Sequence, residues 1–153
     1  MRLLLIGKNG QVGWELQCSL APLGEVIAVD YPAIDLADMD NVRKCIRNVK
    51  PQAIVNAAAY TDVDKAENEA DKAFAINGFA PGVMAEEARA IGAALIHFST
   101  DYVFDGNKGT PYTEGDVPNP INLYGESKLM GDRAIQQVGG AFIILRTSWV
   151  YNT

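Results

Sequence analysis

The segment Leu3-Leu4-Leu5-Ile6-Gly7-Lys8-Asn9-Gly10-Gln11-Val12-Gly13 decides the fold of this chain. Its apolar beginning predicts a buried strand, and its glycines predict a tight turn. Beyond the turn, apolar residues recur at helical spacing, at Val12, Leu16, Leu20 and Leu23. In such a strand, turn and helix, the glycines let a pyrophosphate approach the backbone, and free amides at the helix N-terminus stabilise its charge. The segment therefore predicts a dinucleotide-binding unit, with an ordinary tight turn as the alternative.

Composition limits what the chain can bind. Its 153 residues, of which 48% are hydrophobic, suffice for one domain with a sizeable core. The net charge of −6 argues against nucleic acid as a partner, and no apolar run approaches the roughly 20 residues that cross a bilayer. Cys18 and Cys45 have no metal-ligand spacing, so we expect a reduced, cytoplasmic protein with a small-molecule or protein partner.

The rest of the chain alternates between strand and helix patterns. Further strands are predicted at 25–29, 53–56, 94–99 and 140–147. Asp38 is expected to cap a helix that ends at Pro51, and Pro81 to start a helix that ends at Gly92, after one or two helices between residues 62 and 77. This alternation predicts an α/β fold: a Rossmann-like, doubly wound parallel sheet of about five strands, with helices on both faces and ligands at the carboxyl edge.

Several residues are expected at that edge. Asp30 follows the second strand about 20 residues beyond the glycine turn, where a carboxylate accepts ribose hydroxyls; this favours NAD, unless it is only a solvated strand end. Lys8 would instead neutralise a 2′-phosphate, which leaves the choice between NAD and NADP open. The only histidine, His97, lies in the middle of the fourth strand and is interpreted as a packed or edge residue rather than a catalyst.

Tyr124 and Lys128 form the main candidate for catalysis. At spacing i and i+4 on a helix, a phenol and an ammonium share a face, so the cation is expected to lower the pKa of the tyrosine and make it a proton donor. The pair alone is a weak signal, because it also occurs on exposed helix faces. Thr100, at the end of the fourth strand, is predicted to join it at the same sheet edge.

Taken together, these motifs resemble the extended short-chain dehydrogenase/reductase superfamily. The resemblance is carried by GKNGQVGWELQ, VNAAAYTDVDKAE, FSTDYVFDG, NLYGESKLMGD and LRTSWVY. It implies that residues 1–153 form an NAD(P)-binding Rossmann domain. It also implies NADPH- or NADH-dependent reduction of the 4-keto group of dTDP-4-dehydro-L-rhamnose to dTDP-L-rhamnose, for surface polysaccharides. Superfamily members continue for roughly as many residues again, so we expect a fragment that lacks the C-terminal substrate domain and catalyses poorly or not at all.

The resemblance also implies roles by position. Cofactor contacts are expected at the following residues: Gly7, Gly10, Gln11, Val12 and Gly13 for the pyrophosphate, Asp30 for the ribose, Asp35 and Leu36 for the adenine, and Ala59, Tyr60, Thr61, Tyr124 and Lys128 further along. Thr100, Tyr124 and Lys128 match the catalytic triad, and the sugar is expected to contact Thr100, Asp101 and Trp149. Glu15 matches a position that in some relatives joins a divalent cation at a dimer contact, so Mg²⁺ and a homodimer are further expectations from the resemblance.

Two other functions fit the same fold. A sugar-nucleotide epimerase or dehydratase of the superfamily should add acid and base groups beside the threonine, whereas only Asp101 is present. A non-catalytic module resembling the regulatory subunit of methionine adenosyltransferase would not need an intact Thr100, Tyr124 and Lys128.

Overall fold

A single parallel sheet organises the computed structural model, which describes residues 1–151. Its strands are β1 (Arg2–Ile6), β2 (Glu25–Val29), β3 (Ala53–Asn56), β4 (Ala94–Thr100) and β5 (Phe142–Thr147). They lie in the order β2-β1-β3-β4-β5, and every neighbouring pair is parallel. The predicted Rossmann-like fold is therefore confirmed. β5 begins two residues later than predicted, because Gly139 and Gly140 adopt positive φ angles of 73° and 92° and form the turn before it.

Helices connect the strands. They are α1 (Gln11–Leu20), α2 (Met39–Val49), α3 (Val63–Ala66), α4 (Ala70–Phe74), α5 (Ala80–Ile91) and α6 (Leu123–Val138), with short 3₁₀ segments at Ala21–Leu23 and Asp101–Val103. Right-handed crossovers place α1 on one face of the sheet and α2, α5 and α6 on the other, where these three pack side by side. No helix within residues 1–151 has the length and apolar character needed to cross a membrane.

The main core lies between the sheet and this three-helix layer. Leu4, Ile6 and Ile54 contribute from the central strands and are almost fully buried, and Met84 of α5 and Ile135 of α6 pack onto them. The apolar runs of β1 and β3 are buried throughout, apart from the exposed Arg2 at the start of β1, as expected for strands covered on both faces. This packing fixes the carboxyl ends of β1, β3 and β4 side by side.

Asp38 caps α2 as predicted. Its Oδ1 accepts hydrogen bonds from the backbone amides of Asp40 at 3.0 Å and Asn41 at 3.1 Å. These are two of the amides that have no partner inside the helix, so the cap stabilises its first turn.

The helix predicted from Pro81 to Gly92 is α5, which begins one residue earlier than predicted, at Ala80, and has Pro81 in its first turn. Helix α4, a π-helical turn (Ala75–Phe79) and α5 follow one another without a break, and Pro81 lies inside this run. Proline cannot donate a hydrogen bond to the carbonyl of Asn77, four residues earlier, and its ring would clash with that carbonyl in a regular α-helix. The wider π turn accommodates both effects, so the chain continues as a helix through the proline.

Candidate active site

The glycine turn after β1 is shaped by two close backbone contacts. Gly7 has a φ of +93°, and a Cβ there would lie 2.7 Å from the amide nitrogen of Ala58, just beyond β3. A Cβ on Gly13 would lie 1.9 Å from the carbonyl oxygen of Gly7. Both residues must therefore be glycine for the turn to form, whatever the site binds.

Gly10 differs from its two neighbours. Its φ of −76° suits any residue, and a Cβ there would meet only the Gly7 oxygen, at 3.6 Å. Gly10 is also the N-cap of α1, and no side chain caps this helix. The fold does not require glycine here, so the missing side chain leaves space beside the amides of Gln11 and Val12. That space and those amides fit a pyrophosphate.

Asp30, at the end of β2, holds the glycine turn in place. Its Oδ2 accepts from the amide of Asn9 at 3.0 Å and its Oδ1 from the amide of Tyr31 at 2.9 Å. Each carboxylate oxygen can accept a further hydrogen bond. Asp30 is therefore more than a solvated strand end, and it keeps the acceptors that ribose hydroxyls need.

Two cavities flank the turn at the carboxyl edge of the sheet. One, of about 510 Å³, is lined by residues that include Asp30, Asp35, Leu36, Ala58 and Ala59. The other, of about 350 Å³, is lined by Val12, Ala59, Thr61, Thr100, Asp101, Tyr124, Lys128 and Trp149, among others. Ala59 borders both cavities. The two spaces thus follow one another past the strand ends, in the arrangement that an extended dinucleotide requires.

Tyr124 and Thr100 meet in the smaller cavity. Thr100 ends β4, donates a hydrogen bond to Asp101 Oδ1 at 3.2 Å and accepts one from the amide of Tyr102, also at 3.2 Å. The rings of Tyr124 and Tyr102 pack edge to face, with centroids 5.5 Å apart. Burial raises the pKa of the Tyr124 phenol, and the nearby Asp101 adds to the rise, whereas the Thr100 hydroxyl opposes it. The phenol therefore carries its proton at neutral pH.

Lys128 lines the same cavity but turns its ammonium towards the sheet. Its Nζ donates to the carbonyl oxygen of Phe98 at 2.7 Å and lies 3.4 Å from His97 Nε2. Burial lowers the pKa of Lys128 to about 8. The prediction that Lys128 lowers the pKa of Tyr124 is wrong. Burial raises the pKa of the phenol, and the Lys128 ammonium is directed to the carbonyl oxygen of Phe98 in β4 instead.

Asn77 is a site residue that the sequence reasoning missed. Its Oδ1 accepts from the amide of Tyr60 at 2.8 Å, and its Nδ2 donates to the carbonyl of Tyr60 at 2.9 Å and to Ser127 Oγ at 3.0 Å. Ser127 Oγ in turn donates to the carbonyl of Tyr124 at 2.7 Å. Asn77 therefore links the loop after β3 to the helix of Tyr124 and Lys128. An asparagine four residues before a proline in a helical pattern is the signal that could have indicated it.

The remaining candidates lie at the periphery. Trp149 is 76% exposed at the mouth of the smaller cavity. Tyr60 donates from its hydroxyl to Glu69 at 3.1 Å, and Glu15 is exposed on α1. Within the described part of the chain, no three His, Cys, Asp or Glu side chains are grouped as metal ligands, so the structure gives no support to Mg²⁺ at Glu15.

Comparison with known proteins extends these observations. Residues 1–153 match the family described as RmlD substrate binding domain. The chain is 48% identical over 155 residues to dTDP-4-dehydrorhamnose reductase of Escherichia coli (strain K12), covering 99% of this chain and 52% of that protein. It is 46% identical over 151 residues to the enzyme of the same name from Burkholderia thailandensis, covering 99% and 51%. The chain therefore spans about half the length of the curated relatives it matches.

The chain is also similar to a solved structure. The dTDP-4-dehydrorhamnose reductase of Bacillus anthracis, in complex with NADP, superposes with a TM-score of 0.93 at 37% identity. The superposition covers 98% of this chain and 54% of that chain.

Proposed function

Because the chain belongs to the RmlD substrate binding domain family, we propose that its protein is an NAD(P)H-dependent reductase of dTDP-4-dehydro-L-rhamnose. The product is dTDP-L-rhamnose, for polysaccharide biosynthesis. The observation that carries the proposal is the cavity in which Thr100 and Tyr124 lie beside the glycine turn. Residues 1–153 form the NAD(P)-binding part of this enzyme, a cytoplasmic protein that acts on a soluble sugar nucleotide.

The residues around the two cavities fit a dinucleotide. Gln11, Val12 and the space beside Gly10 hold the pyrophosphate, and Asp30 accepts hydrogen bonds from the adenosine ribose. The adenine lies against Asp35 and Leu36. When bound, the reduced nicotinamide supplies the hydride. NADP in the B. anthracis relative favours NADPH, with Lys8 as the residue that neutralises the 2′-phosphate.

Tyr124 and Thr100 carry out the proton chemistry. The buried Tyr124 hydroxyl, whose raised pKa keeps it protonated, gives its proton to the oxygen at C4 of the sugar as negative charge develops there. Thr100 donates a hydrogen bond to the same oxygen. Lys128 binds the nicotinamide ribose, and Asp101 and Trp149, which line the cavity, contact the sugar.

Two measurements on the full-length protein test the proposal. Binding of NADPH and NADH is followed by cofactor fluorescence, and turnover by cofactor oxidation with dTDP-4-dehydro-L-rhamnose. dTDP-glucose, which has no 4-keto group, is the control. We expect binding of at least one dinucleotide and oxidation only with the keto sugar. Failure to bind either cofactor contradicts the proposal, and binding without oxidation favours a non-catalytic module.

A further inference from the structure

A chain of buried polar side chains runs from β3 through β4 to α6. Asn56, His97 and Lys128 have exposed fractions of 0%, 1% and 1%. Asn56 and His97 are register partners in the parallel β3–β4 pair. Neighbouring residues in register point to the same face of a sheet, and α6 brings Lys128 to that face. The distances between these three side chains define which of their nitrogen atoms carry protons.

Asn56 determines which imidazole nitrogen of His97 carries the proton. The amide of Ala58 donates to Asn56 Oδ1 at 3.2 Å, which leaves Asn56 Nδ2 as the donor to His97 Nδ1, at 3.0 Å. A neutral imidazole that accepts at Nδ1 must carry its proton at Nε2. The Nε2–H of His97 therefore points at Lys128 Nζ, 3.4 Å away.

This orientation treats the two forms of Lys128 differently. An uncharged amine has a lone pair that accepts a hydrogen bond from Nε2–H. An ammonium has only donors, so it gains nothing from His97 and relies on the carbonyl of Phe98, at 2.7 Å. The tautomer of His97 therefore affects both where the Lys128 amine points and whether it is charged.

We propose that His97 is a positioning residue for Lys128. Asn56 holds His97 as the tautomer whose Nε2–H points at Lys128. When Lys128 is charged, this tautomer directs its ammonium to the carbonyl of Phe98, and it favours the uncharged amine over the ammonium. The part that this plays in reduction rests on the proposed function, in which Lys128 binds the nicotinamide ribose. The arrangement of protons itself does not depend on that function.

The surrounding charges agree with this role. Burial lowers the pKa of Lys128 to about 8, and Asp132, one turn further along α6, opposes the decrease. Arg146 of β5 is paired with Asp132 at 3.1 Å, and Tyr124 lies one turn earlier on α6. The pKa of His97 is well below its ordinary value of 6.5, first because of burial and then because of Lys128. His97 is therefore neutral at pH 7.

The tautomer is directly measurable, because His97 is the only histidine of the chain. With ¹⁵N-labelled histidine, two-bond ¹⁵N–¹H spectra should show one neutral imidazole protonated at Nε2 at pH 7. An Nδ1–H tautomer or an imidazolium at this pH overturns the proposal. This measurement needs no substitution.

The effect on Lys128 is measured by titrating ¹³C- and ¹⁵N-labelled lysine, with Lys128→Met to assign the signal. In Asn56→Asp the carboxylate accepts from Nδ1–H, so Nε2 becomes an acceptor for the ammonium. We expect the tautomer to switch and the midpoint of Lys128, near 8 in the unsubstituted chain, to rise by about 1 pH unit. Asp132→Asn is the opposite control and should lower the midpoint. An unchanged tautomer and midpoint in Asn56→Asp contradict the proposal.

Measurement of enzyme activity is a separate test. If the protein is the proposed reductase, the alkaline limb of its kcat/KM profile should move upward with the Lys128 midpoint in Asn56→Asp. An unmoved limb in an active enzyme contradicts the role of His97 in reduction. The two spectroscopic measurements use neither cofactor nor sugar, so an inactive protein would count against the proposed function alone.

Discussion

The side chain of Asn77 binds both backbone polar groups of Tyr60. Its Oδ1 accepts from the Tyr60 amide at 2.8 Å, and its Nδ2 donates to the Tyr60 carbonyl at 2.9 Å. The two bonds replace a strand partner for an irregular segment that borders the candidate cofactor site. Asn77 itself is 1% exposed. A buried residue with this pattern of donor and acceptor cannot be exchanged without leaving a polar group unpaired.

The first prediction concerns that residue. Asn77→Asp keeps the size and the acceptor but removes the donor to Tyr60 and Ser127. Urea unfolding should show a loss of about 2–3 kcal/mol, and NADPH should bind more weakly because Tyr60 is no longer fixed. Asn68→Asp, at an exposed position after α3, is the matched control. Equal stability of the two variants would show that the double hydrogen bond contributes little.

The second prediction separates two glycines of one turn. Gly10→Ala should leave thermal unfolding nearly unchanged, because the added Cβ has room, but should weaken NADPH binding by roughly 10- to 100-fold, or about 1.4–2.7 kcal/mol. Gly13→Ala should destabilise the fold, because its Cβ would lie 1.9 Å from the Gly7 oxygen. Fluorescence titration and thermal melts distinguish the two effects. Unchanged cofactor affinity in Gly10→Ala would exclude a pyrophosphate beside that residue.

The third prediction addresses the proton donor. In the full-length protein, Tyr124→Phe removes only the hydroxyl, so kcat with the keto sugar should fall by about 10²–10⁴-fold, while the affinity for NADPH stays near that of the unsubstituted protein. Tyr102→Phe, on the ring that packs against Tyr124, is the control and should keep its rate. A normal rate in Tyr124→Phe would mean that another group supplies the proton.

The fourth prediction is a dependence of stability on pH. Glu87 of α5 is 4% exposed and forms ion pairs with Arg43 at 3.0 Å and Arg47 at 2.6 Å. Its hydrogen bond with Arg47 is the main cause that lowers the pKa of Glu87 below its ordinary value of 4.5. A lowered pKa in the folded state stabilises the protein fully above pH 4.5, and the contribution is lost as the pH falls through the folded-state pKa.

Glu87→Gln should therefore destabilise the protein by about 1–3 kcal/mol at pH 7. Its difference from the unsubstituted chain should shrink below pH 4.5, as followed by urea unfolding at several pH values. Glu86→Gln, whose side chain is 50% exposed, should change stability much less. A difference for Glu87→Gln that stayed constant down to low pH would contradict the role of its charge.

Local patterns were sufficient for most of the fold. The apolar runs, the glycine turn and the Asp38 cap are read from neighbouring residues, and the strands and helices formed near the predicted positions. Local patterns did not indicate the π turn that joins α4 to α5 just before Pro81. Tyr124, Thr100 and Asp30 were predicted to share one sheet edge, since carboxyl ends of parallel strands lie together, and they do.

The sequence by itself determined the order of strands and helices, the edge at which the candidate site lies and the glycines of its turn, because each depends on local backbone preference and apolar spacing. Only the tertiary structure decided which partners the buried polar groups find. Lys128 turns to Phe98 and His97 rather than to Tyr124, and Asn77 reaches Tyr60 from 17 residues away. Such partners are set by how helices pack on the sheet, where a buried donor or acceptor must be satisfied by whatever group the packing brings within reach.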